Sequence, residues 1–577
     1  MNIKFNYELF KFKYYPINVD IYKNKVLAIK FSTTFTEIVD INIKTGKETL
    51  YKLENPILDC NPIGMYDYDD YYIIVGQSFD NGIRIYKYDK KERKEIIYNY
   101  LKEKVKNIYS EQIGKTLYIS VLGEVSGVYI LNCETPVLSI FSENDKYYMT
   151  YIKEIEGNFI LTQGISLQTN NHKSIVYDQN WNQVESISFN QNSNDFCYAF
   201  DAKRHMNIVA SDVLGEKTVF LQKDNEISNI TVCDSIDTFN IEDYIYDKGL
   251  LIYQVEQALT CKLNIYELDT GHIHEIIHDQ LIYMVKNFDN TIVILGNSIH
   301  SALVVSIYDL SKKKIIASYS YPQDNFEIKT PKKKYIEVNG HKMNYIEYPP
   351  HDYTKINGYI IYLHGGPAIH WLPKYNEMFS QFQKNNFCVI YPNYFGSSQC
   401  GTIDYNKHEN KWGLKDLDEI LFLRKKITHK NVILIGESYG AYLALKAWNR
   451  SPNDWTGLIT YASFYTPWSL YESGSNLVKE TVKRHISESD INHSDMEAYS
   501  KEEDISTKIF LLHGKCDEVI PYEQSINIFE YLNRTYKFNS KPILKLIANG
   551  SHSLNNMHDK SCVERYICKS VEEITFS

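Results

Sequence analysis

Gly436-Glu437-Ser438-Tyr439-Gly440 follows the apolar run at residues 431–435 directly and opens onto Ala441-Tyr-Leu-Ala-Leu-Lys-Ala-Trp, a segment of helical character. A strand, a glycine-flanked tight turn and a helix project a serine hydroxyl into open space, the setting of a nucleophile elbow. The pentapeptide alone is weak evidence, and its strand-turn-helix setting is what weighs against the plain alternative of a serine N-cap. A serine hydroxyl attacks poorly until a base takes its proton, so a histidine and an orienting carboxylate must accompany it. Two later strand-like runs supply them in the order serine, acid, histidine. Residues 508–512 lead into His513-Gly514-Lys515-Cys516-Asp517-Glu518, and residues 542–547 lead into Ala548-Asn549-Gly550-Ser551-His552. Both loops fall at the carboxyl ends of their strands, where the catalytic groups of parallel sheets gather. Glu518 competes with Asp517, but only Asp517 has the matching spacing after His513-Gly514. The expected triad is Ser438, Asp517 and His552.

Acyl transfer also needs donors aimed at the oxyanion of the tetrahedral intermediate. Tyr362-Leu363-His364-Gly365-Gly366-Pro367 ends an early strand with two glycines that let backbone approach a substrate. Gly366 and the backbone N–H of Tyr439 are the expected oxyanion donors. The plain alternative is that these glycines only make a turn, and His364 reads as structural.

These motifs together resemble the prolyl oligopeptidase family of serine peptidases, especially its acylaminoacyl-peptidase-like branch. The resemblance rests on His364-Gly365-Gly366-Pro367, Asn393-Tyr394-Phe395-Gly396-Ser397-Ser398, Trp412-Gly413-Leu414-Lys415-Asp416, the elbow at Ser438, His513-Gly514 with Asp517, Val519 and Pro521, and Gly550-Ser551-His552. It implies an α/β-hydrolase domain capped by a propeller, an acyl-enzyme mechanism and short peptides as substrates. Phe395 stands where the family has arginine, which removes an expected structural ion pair rather than a triad member. Gln399-Cys400-Gly401 replaces a more glycine-rich continuation. The paired glutamates of dipeptidyl members are not recognisable. The same triad would serve an esterase, a thioesterase or a peptide acyl transferase, and a binding scaffold with an inactive hydrolase half is the third class.

The elements that must position these residues fall into two rhythms. In the first half, an aromatic or aliphatic residue closing a strand before a polar turn recurs at Ile41, Tyr86, Tyr129, Tyr177, Phe220, Tyr266 and Tyr308, at steps of 45, 43, 48, 43, 46 and 42 residues. That period fits the four-stranded blade of a β-propeller, and seven markers predict seven blades, with six or eight left open. Turns such as Lys44-Thr45-Gly46-Lys47 and Asp269-Thr270-Gly271-His272 supply the corners. After Tyr321-Pro322 the rhythm changes to a hairpin around Asn339-Gly340, then to apolar runs at 358–363, 387–391, 431–435 and 508–512 separated by helical segments. This predicts a doubly wound, mostly parallel α/β-hydrolase sheet. The expected domains are a propeller at 1–325 and a catalytic domain at 326–577. The segment at 463–471, rich in aromatics, could wall a substrate pocket or simply pack.

Composition agrees with two folded domains. The chain has 577 residues, 44% hydrophobic and 23% charged, with 49 tyrosines that favour sheet. A net charge of −10 without a sustained basic stripe excludes nucleic acid as an expected partner. No run approaches a membrane span and the N-terminus shows no apolar signal core, so no membrane partner is expected. Ten cysteines without a CxxC pair or a histidine-linked cluster predict free thiols, a cytoplasmic setting, no metal and no cofactor. Self-association is left open.

Overall fold

The computed structural model describes residues 13–576 apart from short segments, the longest being 398–411 and 484–503. Seven four-stranded antiparallel sheets follow one another from Lys13 to Tyr321, each built from four consecutive strands. They are the blades of a propeller. All seven sequence markers fall on the third strand of their blade, from Ile41 in Thr36–Asn42 to Tyr308 in Leu303–Asp309. The period is therefore real, and its cause is packing: Ile41, Tyr86, Tyr129, Phe220 and Tyr308 are buried. Second strands such as Met206–Ser211 are buried throughout, whereas fourth strands such as Glu48–Lys52 and Lys314–Tyr321 are largely exposed. Among the described residues, first strands of neighbouring blades touch one another at five of the seven junctions, all but four–five and seven–one.

Every first strand also carries a register shift against its second strand, skipping residues 17, 63, 106, 150, 198, 242 and 283 in turn. A bulge adds local twist, and seven at one level let the inner strands splay and re-aim side chains toward the axis. No strand is exchanged between the first and last blades among the described residues. The ring closes by packing instead: Val26, Val39 and Ile41 of blade one share a core cluster with Leu295, Val305 and Tyr321 of blade seven.

The second half is one eight-stranded sheet. Its strands are β1 (Lys332–Val338), β2 (His341–Tyr348), β3 (Gly358–Leu363), β4 (Phe387–Asn393), β5 (Val432–Glu437), β6 (Gly457–Tyr461), β7 (Lys508–Gly514) and β8 (Ile543–Ile547), in the order β1-β2-β4-β3-β5-β6-β7-β8. The first two form the expected hairpin, with Asn339 at φ 49° and Gly340 at φ 80°, and pair antiparallel; from β4 onward the pairing is parallel. Helices α1 (Glu377–Lys384), α2 (Lys415–Lys426), α3 (Tyr439–Arg450), α4 (Pro467–Ser473), α5 (Glu523–Thr535) and α6 (Met557–Phe576) accompany it. Two buried clusters lie on its faces, one with α2 and α3 and one with α1 and α6, so the central strands are apolar on both sides as a doubly wound sheet requires. The expected boundary between 325 and 326 falls in 322–327, outside the described residues. No helix of the described residues is long and apolar enough to cross a membrane.

Candidate active site

Ser438 stands between β5 and α3 with φ 54° and ψ −122°, a conformation an L-residue holds only when its surroundings enforce it. Both flanking glycines are required by space. A Cβ on Gly436 would lie 2.2 Å from the Gly440 carbonyl oxygen, and one on Gly440 would lie 2.3 Å from the carbonyl oxygens of Leu363 and His364. The elbow is thus pressed against the end of β3, and a Cβ on Gly365 would sit 3.1 Å from that of Ser438.

The loops that carry Asp517 and His552 are brought together in the same way. A Cβ on Gly514 would meet the Gly550 carbonyl oxygen at 2.1 Å. Cys516 N–H donates to Gly550 O at 2.9 Å and Lys515 N–H to Ile547 O at 2.8 Å. Tyr461, at the end of β6, donates its hydroxyl to Ser551 O at 2.6 Å. On this frame Ser438 Oγ lies 3.0 Å from His552 Nε2, and His552 Nδ1 lies 2.8 Å from Asp517 Oδ2. The structure therefore brings the three expected residues into one hydrogen-bonded chain. Glu518 lies outside the described residues.

Asp517 has more partners than the sequence suggested. Its Oδ1 accepts from Val519 N–H at 2.9 Å and Ile520 N–H at 2.7 Å, and its Oδ2 also faces His513 Nε2 at 3.2 Å. Burial by itself would raise the carboxyl, but hydrogen bonds and charge from His513 and His552 outweigh it and hold the group at about 2. His513 is fully buried, with Nε2 2.9 Å from Ile520 O and Nδ1 2.7 Å from Ser525 Oγ. A carbonyl can only accept, so Nε2 carries a proton. The supporting role of His513 was signalled by the His513-Gly514 pair but not assigned.

Of the expected oxyanion donors, Tyr439 is the first residue of α3 and Gly366 has φ 118°, open to glycine alone. Behind them, Tyr439 donates its hydroxyl to Asp416 Oδ2, and Gly413 N–H reaches the Tyr439 hydroxyl oxygen at 3.1 Å. The Trp412–Asp416 motif thus clamps the start of α3. Burial pushes the Asp416 carboxyl up to about 6 despite these donors. His364 is fully buried between Gly365 O at 2.7 Å and Ser397 Oγ at 3.1 Å, and burial lowers it to about 4, which fits a neutral structural role.

Phe395, the residue in place of arginine, is nearly buried, and its N–H donates to Glu419 Oε2 at 2.6 Å. Burial pushes Glu419 up to about 8. Ser398 to Gly401 lie outside the described residues. In the aromatic segment, Phe464 is core, stacked on Tyr442 with centroids 4.6 Å apart, while Trp468 and Tyr471 stack on each other and are only partly buried. Glu437, beside Ser438, is a neighbour the sequence reading passed over: enclosure raises its carboxyl, against the charges of Lys560, His552 and Lys374 and a Tyr362 hydroxyl at 3.4 Å.

Residues 373–566 match the model of the prolyl oligopeptidase family. Among curated proteins, the uncharacterized peptidase YuxL of Bacillus subtilis is 23% identical over 257 residues, 38% of this chain and 37% of that protein. An uncharacterized protein of Acanthamoeba polyphaga mimivirus is 29% identical over 220 residues, 36% of this chain and 71% of that protein. Among solved structures, a puromycin-hydrolyzing peptidase of Mycobacterium tuberculosis superposes with a TM-score of 0.77 at 12% identity, over 98% of this chain and 95% of that one. An acylaminoacyl peptidase of Pyrococcus horikoshii does so with a TM-score of 0.70 at 12% identity, over 98% and 97%. The likeness in fold spans both halves, and the family match lies in the second: residues 373–566, within the sheet that follows the seven-bladed propeller, match the prolyl oligopeptidase family model.

Proposed function

We propose that this chain is a serine peptidase that hydrolyses short peptides through an acyl-enzyme, with Ser438 as nucleophile, His552 as general base and Asp517 as its orienting acid. The observation that carries the reading is the chain of hydrogen bonds from Ser438 Oγ through His552 to Asp517 on a strained elbow. With Asp517 ionised, His552 holds its proton on Nδ1 and presents Nε2 to the serine hydroxyl. Attack on a peptide carbonyl transfers the serine proton to Nε2, and the imidazolium then protonates the leaving amine. Water repeats the cycle on the ester. The N–H groups of Gly366 and Tyr439 are the proposed donors to the oxyanion. The propeller, at 1–325 in the proposed partition, restricts access to the catalytic domain at 326–577.

The test is mass spectrometry of a mixed-length peptide library, with free and acetylated amino termini, incubated with the protein and with Ser438→Ala. Short peptides should be cut only by the unaltered protein, and an aminoacyl-nucleoside amide is a useful added probe given the neighbour's name. Peptides left intact while simple esters or thioesters are hydrolysed would replace the peptidase reading with an acyl-ester one.

A further inference from the structure

Lys153 lies on the first strand of blade four (Tyr147–Ile155), and its ammonium pairs with Asp243 on the first strand of blade six (Thr238–Ile245). Blade five stands between them, so the pair spans a chord of the axial tunnel instead of joining neighbours. Asn287, on the first strand of blade seven (Leu281–Phe288), donates to the other oxygen of Asp243. Asp243 is almost wholly buried. From blade three, Tyr109 closes on the same strand as Lys153, with Ile152 N–H 3.5 Å from its hydroxyl oxygen, which itself lies 3.2 Å from Glu111. Four of seven blades thus meet in one polar cluster on the axis.

The height of this cluster follows from strand direction. The catalytic half touches the turns between second and third strands of blades six and seven. Leu259 packs in its core, Lys333 Nζ reaches Thr260 Oγ1 at 2.7 Å, His370 pairs with Glu256 at 2.6 Å, and Tyr375 N–H donates to Ser298 O at 2.8 Å. In an antiparallel blade those turns lie at the end where first strands begin. Lys153, Asp243 and Asn287 lie near the ends of theirs, at the mouth turned away from Ser438.

We propose that Lys153, Asp243 and Asn287 bolt the distal mouth of the propeller tunnel, and that peptides reach Ser438 from the side, between the two halves, and not along the axis. A buried ammonium–carboxylate pair with an amide completing the acid is costly to separate, because each partner would be left desolvated and alone. The inference rests on the reading of Ser438 as nucleophile, and its test separates the two.

In a Cys516→Ser background, Lys153→Cys/Asp243→Cys is bridged with a bis-maleimide, and labelling of Ser438 is timed with a small fluorophosphonate and with one carrying a hexapeptide tail. Rates for both probes within twofold of the unbridged protein are expected. A tenfold or greater slowing of the tailed probe alone on bridging would make the tunnel the route and overturn the inference. No labelling of the unaltered protein by the small probe would instead sink the nucleophile reading. In that event Ser438→Cys is reacted with a tailed maleimide, with and without Lys153→Ala/Asp243→Ala. Equal rates with and without the bolt are expected, and a tenfold or greater gain on opening it would make the tunnel the route and overturn the inference. Asp243→Asn, which keeps the bond to Asn287, replaces the double variant if melting shows that it does not fold.

Discussion

Two buried carboxyls of the catalytic half, Asp517 and Glu419, have opposite fates, and the difference is the number and charge of their donors. Asp517 has two backbone N–H groups and two imidazoles, so it stays ionised to about 2. Its folded value is below the ordinary one, so its contribution to stability is present above the usual carboxylate range and is lost as pH falls toward 2. Asp517→Asn should keep the fold near neutral pH but favour the wrong imidazole tautomer, lowering kcat on the order of 10⁴-fold, measured on any peptide the unaltered protein cuts. Glu419 has one backbone donor and burial, which pushes it up to about 8. Here the folded value is raised, so the contribution is complete below the unfolded value and is lost as pH rises through 8. Glu419→Gln keeps an acceptor for Phe395 N–H without the titration. Its unfolding free energy should therefore lose less between pH 5 and 8, with a gain of roughly 3 kcal/mol over the parent at pH 8 by denaturant titration. A gap between the two proteins that does not change with pH would contradict the raised value.

At the scale of elements, the candidate site is a set of close backbone approaches. Gly436, Gly440, Gly514 and Gly550 each stand where a Cβ would meet another segment's backbone below 3 Å. Gly440→Ala should separate β3 from the start of α3, destabilising the protein by several kcal/mol, about the scale of overpacking, and abolishing fluorophosphonate labelling. A well-folded, labelled Gly440→Ala protein would mean the elbow can rebuild without this contact. The glycines of the elbow were legible in the sequence because their strand-turn-helix setting is local. The pairing of Gly514 with Gly550 was not, since it joins loops 36 residues apart whose spacing says nothing of contact. The clamp of Asp416 on Tyr439 was hidden for the same reason: the Trp412–Asp416 motif could be seen, but not which hydroxyl it would meet. Likewise Phe464 read as a wall candidate because aromatic content does not tell which ring faces the core.

For the whole molecule, the count of seven blades was readable because each unit repeats one apolar or aromatic third-strand residue, buried in five of the seven, whereas ring closure was not, because it depends on how the first and last units meet. The bulge in every first strand also left no sequence signature; residues 17, 63, 106, 150, 198, 242 and 283 span five residue types, with none common to all. Among the described residues the seam has no exchanged strand, and Tyr321 is one of the side chains packed across it. It is fully buried between blades seven and one, and donates its hydroxyl to Gly46 O at 2.7 Å, while Tyr319 donates to Lys44 O at 2.8 Å. Tyr321→Ala removes a large buried ring and a bond across the seam, a loss of about 3–5 kcal/mol in a core. Tyr321→Phe removes only the bond, worth about 1 kcal/mol. The alanine variant should lower the melting of the propeller and let protease cut near residues 44–46 and 319–321 first, with the phenylalanine variant close to the parent. If the alanine variant melts and is cleaved like the parent, the seam is held by something other than this packing, and the bolt across blades four, six and seven becomes the stronger candidate for what keeps the ring shut.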